Sequence, residues 1–285
     1  MNEMKISGLE EVFKIALAED IAGGDITTLA TIPHEVDGKG KFLVKQNGII
    51  AGLEIVELLF KYADPDLKFI KLSPDGDQVK YGQVVAEVTG KAASMLTLER
   101  TALNFLQRMS GIATMTGEFV KLVNHTKAKI LDTRKTVPGL RTLDKLAVKI
   151  GGGINYRIGL YDMFLIKDNH IAVAGSITKA INACREFQLE RNISSKIEVE
   201  TTNLEEIKEA LNCKPDFIML DNFQIDEMKK AVSLIGGKSL VEASGGINVN
   251  TIKAIAETGV DFISVGALTH SVKALDISLE IETNQ

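Results

Sequence analysis

Four short apolar runs, Lys196 to Val199, Asp216 to Leu220, Leu240 to Ala243 and Asp261 to Val265, begin 20, 24 and 21 residues apart with helical stretches between them. That interval leaves room for a strand, a helix and two loops. Repeated βα units demand parallel strands joined by right-handed crossovers. Two earlier runs, Lys129 to Leu131 and Met163 to Ile166, bring the series to six, and the long gap between them leaves room for a further strand near Asn155 to Ile158. The spacing predicts an α/β barrel of six to eight strands. A doubly wound open sheet is the alternative, but it would more naturally carry a glycine-rich first turn, and no G-x-G-x-x-G follows a strand.

The preceding half reads differently. Ser7 and Glu10 form a capping box ahead of Leu9, Val12, Phe13, Ala16 and Leu17, which recur at helical spacing. From Lys39 to Gly90, β-prone runs (Lys41 to Lys45, Leu67 to Leu72, Val84 to Val88) surround one helical stretch and an Asp75-Gly76 turn, which predicts a small α+β unit. Helical segments over Ala92 to Met109 and Thr114 to His125 follow, joined at Ser110-Gly111. This divides the chain into an N-terminal domain over 1–109 and a barrel over 110–271. With 45% hydrophobic and 25% charged residues in 285, the chain has enough apolar material for a sizeable core, which excludes a disordered polymer. The greasiest stretch, Val260 to Leu268, contains Asp261 and falls short of the ~18 residues of a membrane span. Glu3, Glu10 and Glu11 leave the N-terminus without a signal peptide's apolar core. A net charge of −5 argues against a nucleic-acid protein held by an overall positive field. Cys184 and Cys213 have no paired spacing, so reduced thiols and a cytoplasmic location are expected, and the four histidines lack ligand spacing, so any metal is expected to be held by oxygen.

In a βα barrel the functional positions lie where each strand ends and its loop begins. After the first run stands Asp132-Thr133-Arg134-Lys135-Thr136, after the second Lys167-Asp168-Asn169-His170, and between them Asn155-Tyr156-Arg157 behind three glycines. Arg134, Lys135, Arg157 and Lys167 thus gather on one rim of an acidic protein, as a polyanion pocket requires. Glu198 and Glu200 flank Val199, so a strand's period of two puts both carboxylates on one face. Glu200 and Asp221 occupy equivalent strand ends one βα unit apart, a pair suited to Mg²⁺ through water, to sugar hydroxyls or to acid–base work. Ser244-Gly245-Gly246, ahead of a helix starting near Asn248, and Gly266-Ala267 after the final strand offer backbone N–H groups where barrels commonly bind a phosphate, with His270 as a further donor. A side chain on Gly245 would then fill the space the phosphate needs. These residues predict a phosphorylated ligand at the last loops and a second anion among the cations. Phosphoribosyl transfer, Schiff-base chemistry on a sugar phosphate with Lys135 or Lys167 as nucleophile, and a phosphometabolite sensor all fit that description.

The motifs are specific enough to place the chain in a family. Glu19-Asp20 through Gly24-Asp25-Ile26-Thr27-Thr28, Glu99 to Asn104 with Gln107-Arg108, Ser110 to Thr114, Asp132 to Thr136 with Pro138-Gly139, Leu165 to His170, Leu220 to Phe223 and Ser244 to Ile247 resemble quinolinate phosphoribosyltransferases over nearly the whole chain. The resemblance implies an N-terminal α/β sandwich, an irregular, roughly seven-stranded α/β barrel, and a C-terminal helix over 272–285 that returns to the first domain. It also implies a homodimer with a shared active site. The reaction it implies joins quinolinate to 5-phosphoribosyl-1-pyrophosphate with Mg²⁺, yielding nicotinate mononucleotide, pyrophosphate and CO₂ for NAD synthesis. Carried over by motif, Arg134, Lys135, Arg157 and Lys167 would hold quinolinate's carboxylates and the diphosphate, and Arg100 would reach in from the partner. Lys135, Glu200 and Asp221 would be catalytic, with Glu200 and Asp221 also serving ribose hydroxyls and Mg²⁺-bound water. Ser244, Gly245, Gly246, Gly266, Ala267 and His270 would hold the 5′-phosphate. Where the family pattern has His after Asn155, this chain has Tyr156, whose hydroxyl is expected to replace the contact with quinolinate but not the charge. Molybdenum-transport-associated relatives share the fold and form the nearest alternative, against which the intact Leu165 to His170 motif argues.

Overall fold

A computed structural model describes residues 8–283, so the capping box on Ser7 lies outside the described residues. In chain order the elements are α1 (Leu9–Ile21), α2 (Ile26–Thr31), β1 (Asp37–Val44), β2 (Gly48–Ile49), α3 (Leu53–Ala63), β3 (Lys68–Lys71), β4 (Gln78–Val79), β5 (Val84–Lys91), α4 (Ala92–Val123), β6 (Lys129–Leu131), α5 (Arg141–Ile150) and β7 (Phe164–Ile166). They continue as α6 (Asp168–Ala174), α7 (Ile177–Arg191), β8 (Ile197–Thr201), α8 (Leu204–Cys213), β9 (Phe217–Asp221), α9 (Ile225–Ile235), β10 (Leu240–Ser244), α10 (Ile252–Ala256), β11 (Phe262–Ser264), α11 (Ala267–His270) and β12 (Ile277–Thr283). The chain divides into two compact units. One holds the described residues up to Gly117 together with Thr136–Gly152 and those from Ser271 on; the other holds Glu118–Lys135 and Gly153–His270.

The first unit is built on an antiparallel sheet in the order β12-β1-β5-β3. Its core includes Phe42 and Phe60, both of which pack against Phe69 with ring centroids 5.7 Å apart. The C-terminal segment is a strand and not the expected helix. Residues 277–283 read Ile-Ser-Leu-Glu-Ile-Glu-Thr, an alternation with period two, and a strand buries Ile277 and Leu279 on the side away from Glu280 and Glu282. Those glutamates pair with lysines on and just after β1, Glu282 with Lys41 at 2.8 Å and Glu280 with Lys45 at 2.9 Å. The helix break expected at Ser110-Gly111 is likewise absent, because α4 runs unbroken from Ala92 to Val123. Gly111 serves close packing within that helix: a Cβ there would overlap the carbonyl oxygen of Lys273. The buried Ser110 hydroxyl takes the Ala51 N–H at 2.9 Å.

The second unit is the predicted parallel series, six strands in the order β6-β11-β10-β9-β8-β7. This is the circular order of a barrel read from its gap, and every pairing in it is parallel. The seventh element is one bridge, Leu131 to Ile154, and not a strand over Asn155 to Ile158. The reason is local. Side-chain carboxylates capture the backbone donors a strand would need: Tyr156 N–H goes to Asp132 Oδ1 at 2.8 Å, and Ile158 N–H to Asp162 Oδ2 at 2.6 Å. Arg157 spans the gap instead, its Nη1 donating to the Met163 carbonyl at 3.4 Å just before β7.

Candidate active site

A cavity of about 830 Å³ opens where the strands of the second unit end. Its lining includes Arg134, Lys135, Tyr156, Arg157, Lys167, Glu200, Asp221, Ser244, Gly245, Gly246, Gly266, Ala267 and His270, which are all the site residues read from the sequence except Arg100. Arg100 is exposed on α4, in the first unit.

Most of these side chains are placed by strand ends. β6 delivers Asp132, fully buried, and the next residues form a tight loop in which Lys135 N–H donates to Thr133 Oγ1 at 3.0 Å. The Lys135 carbonyl accepts from Thr269 Oγ1 at 2.9 Å, which ties this loop to the one after β11. Burial, and second the neighbouring Arg134 guanidinium, hold Arg157 below the usual arginine range. The charges of Asp162 and Glu242 oppose that shift without cancelling it, and like charges brought together favour an anion between them. Lys167, at the end of β7, reaches Glu200 Oε2 at 2.6 Å, and its backbone N–H donates to His170 Nδ1 at 3.0 Å.

Glu200 and Asp221 both line the cavity, and each has one oxygen already engaged, by Lys167 Nζ at 2.6 Å and by Asn222 Nδ2 at 2.7 Å. Among the described residues no group of three or more His, Cys, Asp or Glu converges to hold a metal. Two partly engaged carboxylates fit Mg²⁺ that keeps water and substrate oxygens as its main ligands, and do not make an all-protein cage.

The loop after β10 differs from the sequence reading in where its helix begins, and it shows a protein neighbour for Gly245. The helix expected near Asn248 starts at Ile252, because Asn248 and Thr251 first close a turn with Asn248 N–H donating to Thr251 Oγ1 at 3.1 Å. Gly245 is in the left-handed region at φ +95°, and what a Cβ there would meet first is Asn222: it would overlap Oδ1 and stand 2.9 Å from the backbone nitrogen. The bare α-carbon is required by a protein neighbour, whatever ligand lies beyond.

Glu242, Ser264 and Asn222 line the cavity and were not singled out above. The period-two rule that paired Glu198 with Glu200 also finds the first two, since Glu242 stands two before Ser244 and Ser264 two before Gly266. Glu198 and Glu242 are both fully buried and are electrostatic neighbours. Burial, and then the neighbouring Glu242 charge, push Glu198 well above the carboxylate range; burial pushes Glu242 up to about 7, against the pull of Ser264, Glu198, Lys167 and Arg157.

Fold and cavity together define a parallel βα unit whose strand-end loops gather four cations, the carboxylates of Glu200 and Asp221 and the glycine loops of the last two strands around one cavity. Comparison with known proteins narrows the class. Residues 25–110 match the family description "Quinolinate phosphoribosyl transferase, N-terminal domain", and residues 112–280 match its C-terminal domain. The chain belongs to the quinolinate phosphoribosyl transferase family. It is 46% identical over 291 residues, with 96% of this chain and 83% of the other covered, to a chloroplastic carboxylating nicotinate-nucleotide pyrophosphorylase of Arabidopsis thaliana. It is equally similar, at 46% with 96% and 82% covered, to the mitochondrial decarboxylating quinolinate phosphoribosyltransferase 2b of Nicotiana tabacum. Among solved structures, the nicotinate-nucleotide pyrophosphorylase of Francisella tularensis superposes with a TM-score of 0.92 at 41% identity over 99% of both chains.

Proposed function

We propose that this chain transfers the phosphoribosyl group of 5-phosphoribosyl-1-pyrophosphate to quinolinate with loss of CO₂, giving nicotinate mononucleotide and pyrophosphate for NAD synthesis. The observation that carries the reading is the cavity itself: Arg134, Lys135, Arg157 and Lys167 share one wall system with Glu200 and Asp221 and with the glycine loops. Quinolinate brings two carboxylates and the donor substrate a diphosphate and a 5′-phosphate, which matches a site rich in cations and N–H donors.

The pyridine nitrogen attacks the anomeric carbon while the bond to pyrophosphate breaks, its electron pair leaving with the diphosphate. Glu200 and Asp221, on neighbouring strands, face the positive charge that grows on the ribose and bind its hydroxyls. They would also hold Mg²⁺ through water, and the ion supplies charge neutralisation of the diphosphate. The new pyridinium then stabilises the electron pair left on C2 as the bond to CO₂ breaks, and that pair takes up a proton. No nucleophilic residue is needed. Lys135 stays a charge and a donor, and its loop, tied to Thr269, sets diphosphate and 5′-phosphate at a fixed separation. Ser244, Gly245, Gly246, Gly266, Ala267 and His270 hold that phosphate.

The working enzyme in this reading is a homodimer in the cytoplasm, with Arg100 of the partner subunit completing the cation set. The exposure of Arg100 on α4 supports the shared site, as does its place in the Glu99 to Asn104 family motif. No helix among the described residues is long and apolar enough to cross a membrane, and Cys184 and Cys213 are free thiols. Purified chain incubated with quinolinate, 5-phosphoribosyl-1-pyrophosphate and Mg²⁺ tests the proposal: nicotinate mononucleotide and CO₂ should appear in equal amounts, and no mononucleotide would overturn it.

A further inference from the structure

Asn222 follows Asp221 at the end of β9 with φ +57°, a left-handed conformation that costs most residues energy and that asparagine tolerates better than others. Its backbone N–H donates to the Ser244 carbonyl at 2.9 Å, which pins it between β9 and β10. Its side-chain amide donates to Asp221 Oδ2 at 2.7 Å. From the other side, the bare Gly245 leaves only enough room for the Asn222 carboxamide. An unfavourable backbone angle, a glycine and a short hydrogen bond thus serve one contact.

We propose that Asn222 is a positioning residue for the phosphoribosyl substrate, its amide holding one oxygen of Asp221 so that the other is presented in a fixed orientation to ribose hydroxyls and metal-bound water. This rests on the phosphoribosyl-transfer reading of the site. The residue type follows from three demands. Glycine would satisfy the backbone but has no amide, aspartate would set a second carboxylate against Asp221, and residues with bulkier or branched side chains tolerate the left-handed angle poorly. Gly245 acts through Asn222: any side chain at 245 displaces the carboxamide.

The test uses the full chain and its Asn222→Gly, Asn222→Asp, Gly245→Ala and Asn222→Gly/Gly245→Ala variants. It reads kcat, both KM values, calorimetric affinity for 5-phosphoribosyl-1-pyrophosphate, and melting temperature. Asn222→Gly should lose about 10- to 100-fold in kcat/KM for the phosphoribosyl substrate, the range expected for a hydrogen bond to a charged group. Its KM for quinolinate should stay within about twofold and its melting temperature should not fall, because glycine relieves the backbone angle. Asn222→Asp should lose at least as much. Gly245→Ala should lower phosphoribosyl affinity in the wild-type background and add little to Asn222→Gly, while the cost of alanine at φ +95° enters both backgrounds and cancels. Wild-type kinetics and affinity in Asn222→Gly would overturn the proposal. So would equal losses from Gly245→Ala in both backgrounds, which would show that a side chain at 245 acts without displacing the Asn222 carboxamide. If quinolinate is not turned over at all, the assigned reaction fails, and calorimetry with the phosphoribosyl substrate still decides the role of Asn222.

Discussion

Replacing Glu242 with glutamine should stabilise the protein above neutral pH and do nothing of the kind in acid. Glu242 is fully buried beside Glu198, and burial raises its pKa from 4.5 to about 7. A carboxyl raised on folding favours the native state while it is neutral. That contribution is complete below pH 4.5, where folded and unfolded chains are both protonated, and it is lost as pH rises to about 7. At 1.36 kcal/mol per pH unit the full loss is about 3 kcal/mol, of which roughly 2 to 3 falls between pH 5 and pH 8. Glutamine has nearly the same shape and no charge to desolvate, and it also relieves Glu198 of a charged neighbour. Guanidinium unfolding of wild type and Glu242→Gln at pH 5 and pH 8 measures the difference. The variant's advantage should grow by that amount between the two pH values. A gap independent of pH would show that Glu242 ionises in the folded protein as it does in the unfolded chain, and would refute the buried-pair argument.

Leu279→Ala should cost about 2 to 4 kcal/mol, read by denaturant unfolding, because β12 buries that side chain in the first unit's sheet; an unchanged midpoint would show that the strand contributes nothing. Tyr156→Phe should weaken quinolinate binding or turnover by about 5- to 150-fold through loss of a hydroxyl contact, and Tyr156→His should add a titration step near histidine's reference value of about 6.5. Wild-type kinetics in the Phe variant would remove Tyr156 from the ligand contacts. Arg100→Ala and Lys135→Ala chains, each inactive alone, should recover part of the activity when mixed into heterodimers, and failure to recover any would remove the shared-site claim.

The second unit was legible because its signal is periodic. Strands buried on both faces leave continuous apolar runs, and the residue after each run is at the strand end, so Arg134, Lys167, Glu200, Asp221 and Ser244 could be read in order. What was missed had weaker or competing local signals. Residues 155–158 look like a strand, but Asp132 and Asp162 outside the segment take its N–H groups. Ser110-Gly111 looks like a break, but in a buried helix glycine can serve a close approach, here to Lys273. The family resemblance implies a C-terminal helix, whereas the plain period-two alternation at 277–283 favours the strand that forms. Asn222 was invisible as anything but motif, since its importance lies in a backbone angle and in a contact with a residue 23 positions on, Gly245.

The central claim is that the cation cluster is built for a pyridine with two carboxylates, one of which leaves as CO₂. Turnover of quinolinate and of nicotinate, each with 5-phosphoribosyl-1-pyrophosphate and Mg²⁺ at matched concentrations, tests it most directly. Mononucleotide should form from quinolinate with one CO₂ per product and should not form from nicotinate; equal turnover of the two would contradict it.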